Sequence, residues 1–544
     1  MRNVPEGNSL QTISLMPARS FPKLPVCLSV SLIVLALLVP GRLPAASFSE
    51  LEKQGREIYR KGTSSSGPIN AIIGSGRNPI SARLLPCVNC HGLDGTGRPE
   101  GTLEPPNITW RELTKPYGHK HSDGRSHDPF APDTLIRSIV QGVDPSGNQL
   151  HPAMPKYILA QQDAEALISY LKVIDKDLDP GLSDTSIKLG VVLPGEMGDT
   201  NPLYSLIRGY FADLNESGGI YGRKVELVFS EPFKDTQSYI ESVQKLVKKE
   251  EVFALLGDSR AEADEKVYPT LEVGKVPLVT PLVLTKWSEI KRQNLRFRLL
   301  PGPAQQAQIL TAYANTRLKT PPKAAIITFP QGALYGQIWD NFKSDAKRYG
   351  WPDFESIDYS GNPKEIPGIV EKLEKAKTEA VFYFGPMGRL APLMQEVARK
   401  NLTPYLFSPM RTAAREVFSL PKSFSGRIFL TNPSLPSDYD KRSLNEFQQL
   451  LNKYKIPKFY QVQAIYYLAT AKVFVEGLQR SGQKLSRTRL IESLQGLSNF
   501  ETGLTPKISF GPNRRTGSLG AYILEVDLEK RRFKPETVWT RLNR

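Results

Sequence analysis

From Ile187 to Gly385 the chain alternates between two kinds of segment. Short apolar runs rich in β-branched and aromatic residues recur: "IKLGVVLP" (187–194), "KVELVFS" (224–230), "VFALLG" (252–257), "VPLVTP" (276–281), "KAAIITF" (323–329) and "AVFYFG" (380–385). Between them lie amphipathic stretches such as "PLYSLIRGYFADLNES", "TQSYIESVQKLVKKE", "AEADEKVYPTLEVG" and "YGQIWDNFKSDAKRYG". No other feature narrows the possible folds as far. A strand apolar on both faces must be covered on both, and the intervening helices are what can cover it. Parallel sheets flanked by helices are therefore expected for this part. The polar, Pro- and Gly-containing stretch "DKDLDPGLSDTS" (175–186) precedes the pattern and reads as a boundary.

Ahead of that boundary the periodicity is helical. It shows in "FSELEKQGREIYR" (48–60), in "APDTLIRSIVQGV" (131–143) with Asp133 as the expected cap, and in "AQQDAEALISYLKVI" (160–174). Residues 61–83 read as loop, and residues 98–132 as a polar, turn-rich segment with His119, His121 and His127. Among these sits Cys87-Val88-Asn89-Cys90-His91. Two thiols at this spacing can add to the two vinyl groups of a haem, and the adjacent imidazole can reach the iron. The alternatives are a disulfide or half a zinc site. Zinc needs four ligands, and a redox disulfide of this spacing belongs in an α/β setting, whereas the flanks here are helical.

The only other cysteine is Cys27, inside the apolar run "LPVCLSVSLIVLALLVP" (24–40). Arg19 and Lys23 precede the run and small residues follow it, which is the order of an export signal. Cleavage near Ala46 or Ser47 removes Cys27. A retained N-terminal anchor is the alternative, although about 15 apolar residues is short for a membrane span. Export to a periplasm is the expectation.

Residues 48–175 resemble a class I cytochrome c domain. The resemblance rests on the Cys87–His91 motif, on Gly55 and Tyr59 in the first helix, on Tyr170-Leu171 in the last, and on Met154 in "HPAMPKY". It implies an all-α domain, crossed terminal helices and one covalent haem c. Cys87 and Cys90 would hold the haem, with His91 and Met154 as axial ligands. Met154 is the only methionine between Ser47 and Asp179. His151, or one of His119, His121 and His127, is the rival sixth ligand. The latter three read more simply as a solvated loop, with a second metal as the lesser alternative. His/Met ligation suits electron transfer. Segments 62–84 and about 107–130 depart from the compact family pattern.

Residues 186–544 resemble the type I periplasmic binding proteins of the Leu/Ile/Val-binding family. "LGVVLPG", "LNESGGIYGRKVEL", "VFALLGDS", "VPLVTP", "FRLLPGPAQQAQIL", "ALYGQ" and "GLTPKISFGPNRRTG" carry the likeness by their order and spacing. It implies two α/β lobes with a cleft at the carboxyl ends of their strands. The chain would cross between lobes near Pro301, Asn432 and Thr505. The expected organisation is thus an export signal (1–46), a cytochrome c domain (47–178), a linker (179–185) and a binding domain (186–544). Its first lobe would hold about 186–301 and 433–505, its second about 302–432 and 506–544. Positions matching the family's pocket are Asp258, Ser259, Thr280, Tyr335, Phe384 and Ser408, with Leu284 and Met410 where amino-acid binders place polar groups. Neither Leu284 nor Met410 can pair with an ammonium group. The expected ligand is therefore not a standard α-amino acid but a small organic acid, or a neutral or aromatic compound.

The charge balance reads first as a solvated basic surface, with attraction of an acidic partner or anionic ligand as the alternative. The formal net charge is +16, residues 47–178 balance, and an excess of 13 positive charges lies at 179–544. No Lys/Arg cluster with interleaved aromatics suggests nucleic acid. No hydrolytic triad, metal-hydrolase motif or phosphate loop is present, so the expectation is an electron carrier and binding protein, not an enzyme in itself. Its partners would be a small-molecule ligand and a redox protein. Two rivals are a receptor that delivers solute to an ABC-type permease and a docking subunit of a periplasmic dehydrogenase.

Overall fold

The computed structural model describes residues 48–542, apart from residues 75, 77, 98–100, 102, 122–123, 194–200, 259, 261–262, 283–294, 331–332, 414–415 and 537–538. The expected export signal, with Cys27, lies outside the described residues. Two compact units follow one another, the first ending at Asp175 and the second beginning at Lys176.

The first unit runs α1 (Glu50–Lys61), β1 (Asn70–Ile72), β2 (Ile80–Ser81), α2 (Val88–His91), α3 (Trp110–Leu113), β3 (His119–Lys120), β4 (Ser126–His127), α4 (Pro132–Gln141), β5 (Lys156–Ile158) and α5 (Gln161–Leu171). Ser49 caps α1. Its hydroxyl accepts from the Glu52 N–H at 3.2 Å, and its own N–H donates to the Glu52 carboxylate at 2.6 Å. Helices α1 and α5 cross at Gly55, where a Cβ would stand 2.0 Å from the Ala166 carbonyl oxygen. Only glycine admits that approach. One turn on, the rings of Tyr59 and Tyr170 pack at 5.5 Å.

Three local expectations change here. The stretch 61–83 is not all loop, because β1 pairs with both β2 and β5 in a small antiparallel sheet. Ala71 and Tyr157 are buried by that pairing, so the unit is mainly but not wholly α-helical. The segment 98–132 holds a second small sheet, the β3–β4 hairpin. Asp133 does not cap α4. Ala131 is the cap residue, Pro132 opens the helix, and the Ala131 N–H is satisfied by the Thr134 hydroxyl at 2.8 Å. Asp133 instead lies in the first turn, where the helix dipole favours a carboxylate.

The second unit has two lobes. Strands β6 (Ser186–Val192), β7 (Lys224–Phe229), β8 (Ala254–Gly257), β9 (Leu278–Leu282) and β10 (Arg296–Leu300) form a parallel sheet in the order β10-β9-β8-β6-β7. Side chains alternate between two cores. Val191, Ala254 and Leu256 face one, while Val192 and Leu255 face the other. This is the two-sided burial that the apolar runs require.

The other lobe holds β11 (Ala324–Thr328), β12 (Glu355–Asp358), β13 (Ala380–Phe384), β14 (Tyr405–Pro409), β15 (Ile428–Asn432), β16 (Gly520–Asp527), β17 (Arg532–Pro535) and β18 (Thr540–Arg541). The first five are parallel, in the order β12-β11-β13-β14-β15, and β16 adds antiparallel with β17 and β18 beside it. Phe382, Phe407 and Phe429 stack across neighbouring strands at 4.8 and 5.7 Å.

Two boundaries shift. Residues 506–518 belong with the first lobe, not the second. Ile508 and Phe510 lie in its core, and the Arg298 N–H bonds to the Arg515 carbonyl at 2.9 Å. The third crossing therefore falls just before Gly520, later than Thr505. The expected linker 179–185 is not free either. Leu182 packs into the first-lobe core, and Arg487 donates to the Pro180 carbonyl at 3.1 Å and, through its backbone N–H, to Asp179 at 2.6 Å.

Candidate haem centre and ligand cleft

Helix α2 is one turn long and carries Cys90 and His91, with Cys87 as the residue before it. The turn closes with the His91 N–H on the Cys87 carbonyl at 2.9 Å. Both thiols are free of any disulfide. Burial pushes the Cys87 thiol up to about 11, so it is held as a neutral thiol.

His91 is buried, and its Nδ1 lies 3.1 Å from the Pro106 carbonyl oxygen. That carbonyl can only accept. Nδ1 therefore carries the proton, and the Nε2 lone pair is left for a metal. Burial also lowers the imidazole's pKa and favours this neutral form. Two further phenols brace the segment: Tyr59 donates to the Gly92 carbonyl at 2.6 Å and Tyr157 to the Leu85 carbonyl at 2.5 Å. Burial raises both phenols, which keeps them as donors.

Met154 lies in the turn before β5 and packs, partly buried, on the apolar cluster that Cys87 and Val88 also touch. Its N–H bonds to the His151 carbonyl at 2.8 Å. His151 itself is exposed, and its Nδ1 accepts from the Ala153 N–H at 3.2 Å. His119, His121 and His127 gather on the β3–β4 hairpin. The donor set therefore fits a covalent haem: two thiols and an oriented, neutral imidazole on one turn, beside a thioether on the same core.

In the second unit the strand order of each sheet reverses direction once, between β6 and β8 and between β11 and β13. Ligands of such sheets bind at the carboxyl ends by these reversals. Gly257 ends β8 with φ of +134°, and a Cβ there would stand 1.8 Å from the Val192 carbonyl oxygen. This close approach delivers Asp258 to the strand end. The Asp258 N–H is committed to the Val192 carbonyl at 2.7 Å, and its own carbonyl accepts from the Tyr239 phenol at 3.2 Å.

The other expected pocket positions divide. Tyr335 is half-buried, with its ring 5.6 Å from that of Phe329. Thr280, Phe384 and Ser408 are buried, and each already has a structural task. The Thr280 hydroxyl faces the Leu282 carbonyl at 3.2 Å, Ser408 donates to the Tyr383 carbonyl at 2.8 Å, and Phe384 sits in the aromatic core. Met410 packs against the second-lobe core. Ser259 and Leu284 lie outside the described residues.

Two residues that the sequence alone did not single out stand near these strand ends. Arg411 stands on the short helix Met410–Ala413 that follows β14, and Tyr467 on the helix Gln461–Arg480 against β8 and β9. Burial raises the Tyr467 phenol well above its ordinary value, nearby Asp258 adds to this, and the Arg411 guanidinium opposes it. Arg411 acts on Tyr466 in the same sense. A cation from the second lobe and a carboxylate from the first thus bear on one buried phenol. The signal available in sequence was a basic residue just past an apolar strand.

Comparison with known proteins agrees with this architecture. A family described as cytochrome c matches residues 84–175, and a family described as periplasmic binding protein matches residues 186–532. No curated protein matches. Among solved structures, a branched-chain amino acid ABC transporter protein from Thermus thermophilus with bound valine is similar at 16% identity, covering 65% of this chain and 96% of its own, with a TM-score of 0.56. A leucine-binding protein from Thermotoga maritima is similar at 15% identity, covering 65% and 99%, with a TM-score of 0.53. A solute-binding protein of an ABC transporter from R. palustris, in complex with 4-hydroxybenzoate, is similar at 18% identity, covering 65% and 96%, with a TM-score of 0.51.

Proposed function

The chain belongs to the periplasmic binding protein family and carries a cytochrome c domain ahead of that fold, and from this premise we propose that it is an exported, haem c-bearing receptor for a small organic acid. Cys87 and Cys90 would hold one haem covalently, and His91 and Met154 would be its iron ligands. The observation that carries this reading is the His91–Pro106 hydrogen bond, which fixes the tautomer an iron ligand needs. When bound, the group supplies a one-electron iron couple. The chain's residues do the rest: the thiols anchor, Pro106 orients the imidazole, and the apolar cluster around Met154 excludes water.

In the receptor part, Arg411 supplies the counter-charge for a carboxylate, and Asp258 accepts from a hydroxyl. Tyr335 offers a ring face, and Tyr467 stands buried behind the cleft wall. Thr280, Phe384 and Ser408 act as the wall's support and not as direct contacts. A ligand without an ammonium group is favoured because the apolar Met410 stands where amino-acid binders place a polar group, and Asp258 is assigned to a ligand hydroxyl. The similar receptor from R. palustris was solved with 4-hydroxybenzoate, which makes that compound the natural probe. The similarity to ABC-transporter components supports delivery to a permease as a second role alongside single-electron transfer to a redox partner.

Calorimetry on the intact holoprotein tests the class. Binding of 4-hydroxybenzoate in the micromolar range, with none for leucine, isoleucine or valine, is expected. Micromolar binding of any of those amino acids would overturn the organic-acid assignment. Acid-acetone extraction tests the other half: the haem should stay with the protein, and its release would remove the covalent assignment.

A further inference from the structure

The chain has five histidines, and three of them stand together on one hairpin. His119 and His127 face each other across the β3–β4 pair, and His121 follows β3. The Nε2 atoms of His121 and His127 are 3.1 Å apart. Ring centroids are 4.6 Å apart for His119 and His121, 5.2 Å for His121 and His127, and 6.0 Å for His119 and His127. We propose that His119, His121 and His127 form a binding site for one divalent late-transition-metal ion, of the zinc or copper class, separate from the haem ligands.

The spacing is that of ligands on a common ion. With metal–nitrogen bonds of about 2.0–2.1 Å, two neighbouring imidazole nitrogens lie about 2.9–3.4 Å apart for angles between square and tetrahedral, and their ring centroids about 4.5–5.2 Å apart. The 3.1 Å nitrogen separation and two of the three centroid distances fall within those ranges. The third is longer. Accordingly, among the described residues no group of three His, Cys, Asp or Glu side chains is already placed to hold a metal ion, and this hairpin would have to close to form one. Closing the site needs the His119 ring to move by about 1 Å toward His127, a shift within rotamer adjustment. That ring is 36% exposed, so nothing packed tightly has to give way.

The outer nitrogens are arranged as metal ligands require. His127 Nδ1 lies 2.8 Å from the Asp128 carbonyl oxygen, which accepts its N–H and leaves the Nε2 lone pair to accept from His121 Nε2 now, or to bind an ion in its place. His119 Nδ1 lies 3.6 Å from the Glu112 carboxylate, which Lys115 also engages. The carbonyl behind His127 fixes that imidazole's tautomer toward the ion, and the Glu112 carboxylate, beyond hydrogen-bond distance of His119, lies close enough to engage it once the ring shifts. Three neutral imidazoles suit zinc, copper or nickel and do not suit magnesium or calcium, which demand oxygen. The hairpin hydrogen bond between His121 and His127 is what the ion would replace.

Zinc is the probe. Untagged, full-length holoprotein is dialysed against Zn²⁺ and its metal content measured, with the haem absorption spectrum as the check on folding. One zinc per chain in addition to the haem iron is expected. His127→Ala and, as a second variant, His121→Asn should each weaken binding at least about 30-fold with the haem spectrum unchanged. Glu112→Gln should weaken it by roughly tenfold, as loss of an outer-shell partner does. His151→Ala should bind zinc as the parent does. Failure to bind zinc at 50–100 µM (order of magnitude for a weak three-imidazole site), or retention of zinc by a folded His127→Ala or His121→Asn variant, would overturn the site. Loss of zinc in His151→Ala alone would do the same.

Discussion

At the residue scale, the haem assignment was legible because it is local. The Cys87–His91 spacing is set within one helical turn, so no tertiary information was needed to read it. The orienting carbonyl of Pro106 was not legible, because it is 15 residues away and acts through its backbone. The ligand pocket was harder for a related reason. In a parallel sheet covered on both faces every side chain is buried, and aligned position alone does not say which ones turn to the cleft. Thr280 and Ser408 were read as contacts, yet their hydroxyls bond to main-chain carbonyls. Arg411, the candidate counter-charge one residue beyond Met410, stands in no pattern that would single it out beyond its place just past an apolar strand. Two substitutions test these roles. Met154→Ala should abolish the methionine-to-iron absorption band and lower the haem potential by on the order of 0.1 V or more, since axial methionine raises it. An unchanged potential measured by redox titration would move the sixth ligand to a histidine. Arg411→Ala should weaken binding of a carboxylate probe about 10–100-fold, the loss of one charge-assisted hydrogen bond, while a neutral analogue binds unchanged. Equal losses for both probes in calorimetry would give Arg411 a structural role instead.

At the element scale, the strands of both lobes were readable because their burial on both faces leaves continuous apolar runs. The short strands β1, β2 and β5 were not. Each has two or three residues, too few for any period to show, and they exist because Ala71 and Tyr157 find a common core. The late crossing before Gly520 was missed for the same reason. Residues 506–518 pair with β10 through main-chain bonds from Arg298 and Gly517, which leave no mark on side-chain pattern. Where backbones approach closely, single glycines become decisive. Gly257→Ala places a methyl group against the Val192 carbonyl in a conformation that L residues rarely adopt. It should destabilise the receptor unit by about 2–3 kcal/mol and displace Asp258. Denaturant unfolding together with ligand affinity checks this. Gly55→Val should act in the other unit by separating α1 from α5, and leave the stability of the receptor unit unchanged. A parent-like midpoint in the Gly257→Ala variant would mean that the β6–β8 contact relaxes freely.

At the scale of the whole molecule, the two units invite separation, and where to cut is a physical question. The sequence suggested a linker at 179–185, because Asp, Pro, Gly and Ser dominate it. That composition describes a turn as well as a tether. Here it is a turn built into the receptor unit. Arg487 is 5% exposed, and its guanidinium donates to the carbonyls of Val252, Phe253, Gly274 and Pro180. Burial lowers its pKa, and Asp179 is the first of the acids that offset this. Removing residues up to Leu182 therefore deletes a bond from a buried cation and its nearest compensating charge, and takes Leu182 from the core. A buried charge that loses a partner costs about 1–3 kcal/mol. Deleting the Leu182 side chain adds roughly 2 kcal/mol. A receptor fragment beginning at Lys176 should thus be a soluble, haem-free α/β protein that binds the same carboxylate probe as the full chain. A fragment beginning at Ser183 should unfold at lower denaturant, by about 3–5 kcal/mol in total. Urea midpoints of the two fragments, measured beside the full chain, decide it. Equal midpoints would return 179–182 to the role of a passive tether. A Lys176 fragment that aggregates while the full chain stays soluble would mean that the receptor unit does not fold alone.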